Sequence, residues 1–107
     1  MIITTSENIA GYKVTEHIGT VIGNTIRAKH IGRDIMAGLR TIVGGEIKEY
    51  TSMLAEAREQ ALQRMIEKAE ECGADGVLAV RFQTSMVMAG SAELLVYGTA
   101  VKLHKNQ

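Results

Sequence analysis

A long helical repeat in the middle of the chain constrains its fold more than any other feature. Between residues 46 and 72, apolar or small residues recur at three- and four-residue spacing, and charged residues occupy most positions between them. The repeat comprises Tyr50, Leu54, Ala57, Ala61, Met65, Ala69 and Cys72. This spacing predicts one amphipathic helix with a single apolar face. We expect it to begin near Glu46 or at Thr51, which can act as an N-cap, and to end before Gly73.

Such a helix is long for a chain of this size. At about 1.5 Å per residue it spans about 40 Å, whereas a compact domain of 107 residues has a radius of gyration of about 13 Å. The alternating pattern from Tyr12 to Ile26 predicts a strand of similar length, at about 3.3 Å per residue. Elements that are longer than a compact domain must either pack against another subunit or bend. We therefore predict a homo-oligomer, with a bent strand in a monomer as the alternative.

The first long strand has two different faces. One face carries Tyr12, Val14, Ile18, Ile22 and Ile26, and the other carries Lys13, Thr15, His17, Gly19, Val21, Gly23 and Thr25. Glycines within a strand mark a bulge or the close approach of another backbone. The sequence also predicts a short β segment at residues 2–5 and a short helix at residues 31–43, which ends at a glycine pair.

After the long helix, two strands are predicted. The first runs from Val77 to Ser85, with Leu78, Val80 and Phe82 on one face, and residues 88–91 suit a hairpin. The second runs from Glu93 to Leu103 and is apolar on both faces: Leu94, Val96, Gly98 and Ala100 alternate with Leu95, Tyr97, Val101 and Leu103. A strand of this kind needs cover on both faces. Because one long and one short helix can cover only one face of a small sheet, this strand also predicts self-association.

Length and charge set the class of protein. We predict one domain, residues 1–107, of the α+β class, in which an antiparallel sheet packs on one long helix plus a short helix. Lys plus Arg and Asp plus Glu both number 12, which argues against nucleic-acid binding and polybasic membrane attachment. The single cysteine excludes an internal disulfide. With no signal-peptide pattern or long apolar run, we expect a cytoplasmic location.

Four blocks along the chain read, in order, IGRDIMAGLRTIVGGEIKEYT, EAREQALQRM, GADGVLAVRF and VYGTAVKL. Together they resemble the YbjQ-like family of small bacterial and archaeal proteins. The resemblance covers the chain from about Ile3 to Leu103, and it depends on the blocks occurring together in this order. It implies a two-layer, dodecin-like β-α-β-β subunit assembled in a ring, a pentamer. It also implies heavy-metal binding. It implies no particular mechanism and no catalytic residues in this chain.

The residues themselves offer few metal ligands. Soft metals favour thiolate and thioether ligands, and zinc sites gather three or four Cys and His. The candidates are His17 and Cys72, with His30 and His104 as further histidines, and no CxxC or HxxxH pattern joins them. At the end of the apolar repeat, Cys72 also suits a small buried hydrophobe. If a metal ion binds, we expect His or Cys from adjacent subunits to hold it. Met86 and Met88 form a further soft pair, which also suits a flexible contact beside the hairpin.

The stretch Gly44-Gly45-Glu46 has two interpretations. It can be the joint between two helices, with Glu46 as a cap, or a ligand pocket between subunits lined by Glu46 with Arg40 and Arg33. It is not a phosphate loop, because no GxxxxGK[ST] pattern is present.

The sequence alone leaves three functions open. The first is an oligomeric metal-binding protein with an unidentified metal ion, and the second is a ring that stores or senses a small ligand. The third is a structural or adaptor ring that binds another protein. We predict no enzymatic activity, because nothing in the spacing brings a nucleophile, a base and an orienting acid together.

Overall fold

The computed structural model describes residues 1–28, 48–89 and 91–107, in which one long helix packs on a sheet of four strands. The elements are β1 (Ile2–Ile3), β2 (Tyr12–Ala28), α1 (Lys48–Glu71), β3 (Gly76–Met88) and β4 (Ser91–Lys105). The predicted two-layer α+β fold with one long helix is confirmed. The predicted short helix at residues 31–43 lies outside the described residues.

The strand order is β1-β3-β4-β2, so β4 lies in the centre and pairs antiparallel with both β2 and β3. Met88 pairs with Ser91, which confirms the predicted hairpin. The prediction of an antiparallel sheet is wrong in one respect, because β1 runs parallel to β3 and the sheet is therefore mixed. A strand of two residues carries no sequence signal for the direction of its pairing.

The core lies between α1 and the sheet. On the helix, the predicted stripe is confirmed from Ala57 to Ala69, because Ala57, Ala61, Met65 and Ala69 are fully buried. Ala61, Met65 and Ala69 form one cluster with five residues of the sheet, which are Val21, Val77, Val80, Val96 and Ala100. Ala57 packs in a second cluster with Ala92 and Leu94. Because most of the stripe is alanine, α1 approaches the sheet closely. At Gly23, a Cβ atom would collide with the Ala61 carbonyl oxygen and lie 2.5 Å from the Met65 nitrogen. The predicted close approach of another backbone at this glycine is confirmed.

The alternation along β2 changes partway. Register shifts occur between Val14 and Glu16 and between His17 and Gly19, which has a φ of 149°. The predicted bulge is thereby confirmed, but the prediction that Ile18 and Ile22 share a face is wrong. Ile18 packs against the helix-side cluster, whereas Ile22 lies between the helix-facing Val21 and Gly23 and therefore points away. Each extra residue in a bulge shifts the alternation that follows it.

A similar irregularity changes β3. Ala79 has a φ of 53°, and the pairing with β4 shifts between Leu78 and Arg81. As a result, Val77 and Val80 both lie against Gly98 on the helix side, where a Cβ atom on Gly98 would lie 2.5 Å from Val77 Cγ1 and 3.2 Å from Val80 Cγ2. The prediction that Leu78 shares a face with Val80 is therefore wrong.

The elongation expected from the element lengths is present. The radius of gyration is 17.7 Å and the principal extents are 58 × 25 × 15 Å, against the radius of about 13 Å for a compact domain of this length. The 24 residues of α1 span about 36 Å. The single chain is therefore long and thin, and its core residues lie only a short distance below both of its broad surfaces.

Candidate functional site

A groove runs between α1 and the part of β3 that approaches the hairpin. Its main part encloses about 480 Å³ and is lined by Ala55, Arg58, Glu59, Leu62, Phe82 and Thr84. A smaller recess of about 160 Å³ shares Arg58 and Thr84 with it and adds Thr51, Leu54 and Leu94. We call these residues together the α1–β3 groove.

The groove is open because α1 packs over β2, at the far edge of the same face of the sheet. The Thr25 hydroxyl of β2 donates a hydrogen bond of 3.1 Å to the Ala57 carbonyl oxygen. From the helix, Arg64 Nη1 donates a bond of 2.7 Å to the Asn24 carbonyl oxygen of β2. With α1 held there, the distal half of β3 has no helix above it among the described residues. Phe82 pairs with the core residue Val96, so it points to the helix side, yet 50 % of it is exposed.

The lining of the groove is apolar at its base and polar at its rim. Leu62, Phe82 and Leu94 form the apolar part, whereas Arg58 and Glu59 supply one charge of each sign. Such a lining suits an apolar body with a polar edge, which describes both a small organic molecule and a side-chain cluster of another protein.

On the side of the sheet that faces away from α1, the described residues cover one end only. There, a Cβ atom on Gly76 would lie 2.9 Å from the Ile2 carbonyl oxygen and 3.5 Å from Ile9 Cδ1. The N-terminal residues therefore cover this end, and Leu78 and Val101 are buried although they point away from the helix.

None of the residues that the structure describes covers the other end of that side. Ile22 pairs with Tyr97 and Asn24 pairs with Leu95, and the exposed fractions are 41 % for Ile22, 61 % for Ile26 and 36 % for Tyr97. We call Ile22, Ile26, Leu95 and Tyr97 the open face. Large apolar residues grouped on a flat, exposed surface are typical of interaction sites.

Cys72 lies in the turn that follows α1. Gly73 has a φ of 76°, and its amide donates a hydrogen bond of 2.9 Å to the Glu70 carbonyl oxygen, which confirms the predicted helix stop. The turn carries Cys72 off the apolar stripe, so its thiol is free and exposed. The interpretation of Cys72 as a buried hydrophobe is therefore wrong, and the thiol is accessible to a ligand.

His17 and Cys72 lie on opposite sides of the sheet. His17 pairs with Val101, which points away from the helix because its neighbour Ala100 belongs to the helix-side cluster. Cys72 lies on the helix side, where the adjoining Gly73 packs near the Lys102 ammonium group. The sheet therefore separates these two predicted ligands within one chain.

The described part of one chain does not contain a complete metal site. Within residues 1–28, 48–89 and 91–107, no group of three or more His, Cys, Asp or Glu side chains could hold a metal ion. Met86 and Met88, the soft pair considered in the sequence, are both largely exposed. The other predicted site residues, Arg40, Gly44, Gly45 and Glu46, lie outside the described residues, as does His30.

Sequence reasoning did not identify the α1–β3 groove. Its residues come from α1, β3 and β4, whose relative placement depends on the strand order, and periodicity does not reveal strand order. One signal was available, because Phe82 is the only phenylalanine of the chain and lies on a strand between charged and polar neighbours.

Comparison with known proteins gives relatives that span the whole chain. A "UPF0145 protein" from Methanosarcina acetivorans is 61 % identical over 96 % of this chain and 97 % of the relative. Another from Thermosipho africanus is 57 % identical over 99 % of this chain and 98 % of the relative.

A solved structure shares the fold at low sequence identity. It is the crystal structure of a protein of unknown function of the DUF74 family from Pediococcus pentosaceus. The two chains are 20 % identical, the match covers 97 % of this chain and 98 % of that one, and the TM-score is 0.66.

Two further findings bear on function. Of the helical residues that the structure describes, no stretch is long and apolar enough to cross a membrane. The YbjQ family model matches residues 1–104, and its description, "Putative heavy-metal-binding", names binding and not a reaction. With this match and relatives above half identity over nearly the full chain, the protein belongs to the YbjQ family.

Proposed function

We propose that this chain is the subunit of a homo-oligomeric ring that binds a soft metal ion at sites shared between neighbouring subunits. The observation that carries the metal part is the exposed thiol of Cys72 in a chain whose described residues hold no complete ligand group. A thiolate is the preferred ligand of soft metals. Because the described residues of one chain supply too few ligands, we assign the remaining ligands to a neighbouring subunit.

The surface of the chain supports the ring. It exposes 7280 Å², whereas a compact monomer of 11.6 kDa exposes about 5,800 Å². The surplus is about 1,500 Å², and a standard interface buries about 800 Å² on each partner. The surplus thus corresponds to about two interfaces on each chain, as in a ring, rather than to the single interface of a dimer. The family resemblance implies five subunits.

Native mass spectrometry tests both parts together. The untagged protein is taken gently from cells and sprayed before any chelator is added, so that the mass gives the subunit number and any excess mass gives the bound species. We expect a closed oligomer that carries metal in a fixed ratio to its subunits. Cys72→Ser should lose the metal and keep the oligomer.

A matched variant separates thiolate from thioether ligands. The double substitution Met86→Leu with Met88→Leu removes two exposed sulfur atoms of the hairpin and should leave the metal content unchanged. Metal retained by Cys72→Ser and by each histidine variant in turn, His17→Ala included, would reject shared Cys and His ligands. A monomer at micromolar concentration would reject the ring.

A small-ligand ring is the second candidate, and the α1–β3 groove favours it. A groove of about 480 Å³ with an apolar base falls within the range of small-molecule sites. In the same mass spectrum, a stoichiometric organic adduct without metal would support this candidate in place of the first.

A further inference from the structure

Two apolar surfaces without a partner lie on opposite sides of the sheet in the described part of the chain. One is the α1–β3 groove, in which Phe82 is 50 % exposed. The other is the open face, in which Ile26 is 61 % exposed. The two surfaces differ in shape, because the groove is concave between a helix and a strand, whereas the open face is a flat strand surface with projecting side chains.

We propose that the α1–β3 groove of one chain receives the open face of a second copy of the same chain. The inference rests on the proposed self-association and extends it by naming the surfaces that meet. The surface surplus of about two interfaces per chain is what this contact requires, because each chain uses its groove once and its open face once.

The pairing of two different surfaces determines the type of assembly. A groove-to-face contact is heterologous, and heterologous contacts close into a ring when the rotation between neighbours permits it. A groove-to-groove contact would instead be isologous and would form a dimer in which both open faces stay uncovered. Each chain exposes both apolar surfaces. Of these two contacts, only the heterologous one covers the groove and the open face of every chain.

Disulfide trapping tests the contact directly. The chain has a single cysteine, so Cys72→Ser gives a background without thiols, and Phe82→Cys and Ile22→Cys then mark the groove and the open face. Phe82 and Ile22 point to opposite sides of the sheet, so a bond within one chain is excluded by disulfide geometry. Under mild oxidation, a chain with both cysteines should give a ladder that ends at the subunit number of the ring.

Mixing the single-cysteine chains tests which surfaces meet. We expect cross-linked dimers that contain one Phe82→Cys chain and one Ile22→Cys chain, and only background levels when either is oxidised alone. Efficient self-linking of Phe82→Cys would show an isologous groove contact and overturn the inference. Thr84→Cys with Ile26→Cys is a second pair for the same test, in case the first destabilises the fold, which circular dichroism checks.

The outcome of the cross-linking experiment does not depend on whether the chain binds metal. The cross-linking is carried out in the Cys72→Ser background, so loss of metal binding does not affect it. If native mass spectrometry shows an oligomer but neither cysteine pair links, the contact lies elsewhere and this inference alone fails. A monomer whose groove is covered by its own residues 29–47 would leave both pairs unlinked, and would overturn the inference and the ring together.

Discussion

Gly23→Ala should destabilise the fold more than any other single methyl addition in β2. Gly23 is buried where β2 crosses α1, and a Cβ atom there would meet backbone atoms, the Ala61 carbonyl oxygen and the Met65 nitrogen. A side chain in the way could rotate, but backbone in the middle of a helix cannot. The whole of α1 must therefore move away from the sheet.

The size of the effect follows from that movement. An ordinary contact to a Cβ atom begins at 3.4 Å, and the Met65 nitrogen would lie at 2.5 Å, so this contact alone requires α1 to shift by about 0.9 Å. The Ala61 carbonyl oxygen lies closer still, so the shift is at least this large. A gap of about 0.5–1 Å forfeits a quarter to a half of the dispersion energy across it, and the gap would run along the buried stripe from Ala57 to Ala69. Overpacking costs about 1–3 kcal/mol, and we place Gly23→Ala at the upper end, about 3 kcal/mol.

Thermal unfolding measures this loss. A change of 1 kcal/mol shifts Tm by about 4–8 °C in a domain of up to about 100 residues, so we expect Gly23→Ala to lower Tm by about 12–24 °C. Wild type and variant must be compared at equal chain concentration, because self-association stabilises the folded state by mass action. Gly19→Ala is the matched control, because open space surrounds it and only its φ of 149° opposes a side chain, at a cost of order 1 kcal/mol.

Two results would refute the reasoning. One is a Gly23→Ala variant that unfolds within about 3 °C of the wild type, since the helix would then not lie against this strand. The other is rescue by Ala61→Gly in the same chain. That second change removes a methyl group but leaves the colliding carbonyl oxygen in place, so no rescue is expected.

Other contacts of the core and surface give further tests. Cys72 is exposed in the single chain and, once bound metal has been removed with a chelator, should react with a thiol reagent in the folded protein, in a ratio of one per chain; a thiol that then reacts only in denaturant would contradict its placement. Thr25→Val removes the bond to the Ala57 carbonyl oxygen and should lower the free energy of unfolding in urea by about 1 kcal/mol; an unchanged midpoint argues against that bond. Gly98→Ala should destabilise, and Val77→Ala should restore part of the loss, because Val77 Cγ1 would lie 2.5 Å from the new methyl group; strict additivity in urea unfolding would count against this contact.

Apolar periodicity predicted the helix and the strands because each buried position along an element selects an apolar residue. The helix stripe from Ala57 to Ala69 and the helix-side residues of β4 reflect which side chains leave water, and both appear in the structure. On the other side of β4, Val101 is buried but Tyr97 stays exposed. The strand glycines were informative for the same local reason, since Gly19 lies at a bulge and Gly23 at a backbone contact.

What periodicity missed depends on geometry between residues or between elements. A bulge shifts the alternation at one position and thereby reassigns every later side chain, as at Ile22 in β2 and Leu78 in β3. Cys72 fits the apolar repeat, but the turn at Gly73 ends the helix before its thiol can reach the core. The α1–β3 groove depends on which strands the helix crosses. That placement comes from contacts between elements, namely the packing at Gly23 and the hydrogen bonds of Thr25 and Arg64, rather than from any local pattern.

The central position of β4 has a consequence for how the chain is made. Among the described strands, β2 pairs only with β4, and β1 joins β3 over two residues. Most of the described sheet therefore cannot form until residues 91–105 are in place. Pairings at such long sequence separation are slow to form, and apolar surface that waits for a partner is prone to aggregate. A chain that lacks β4 would thus leave β2 without a strand partner among the described strands and would be prone to aggregate.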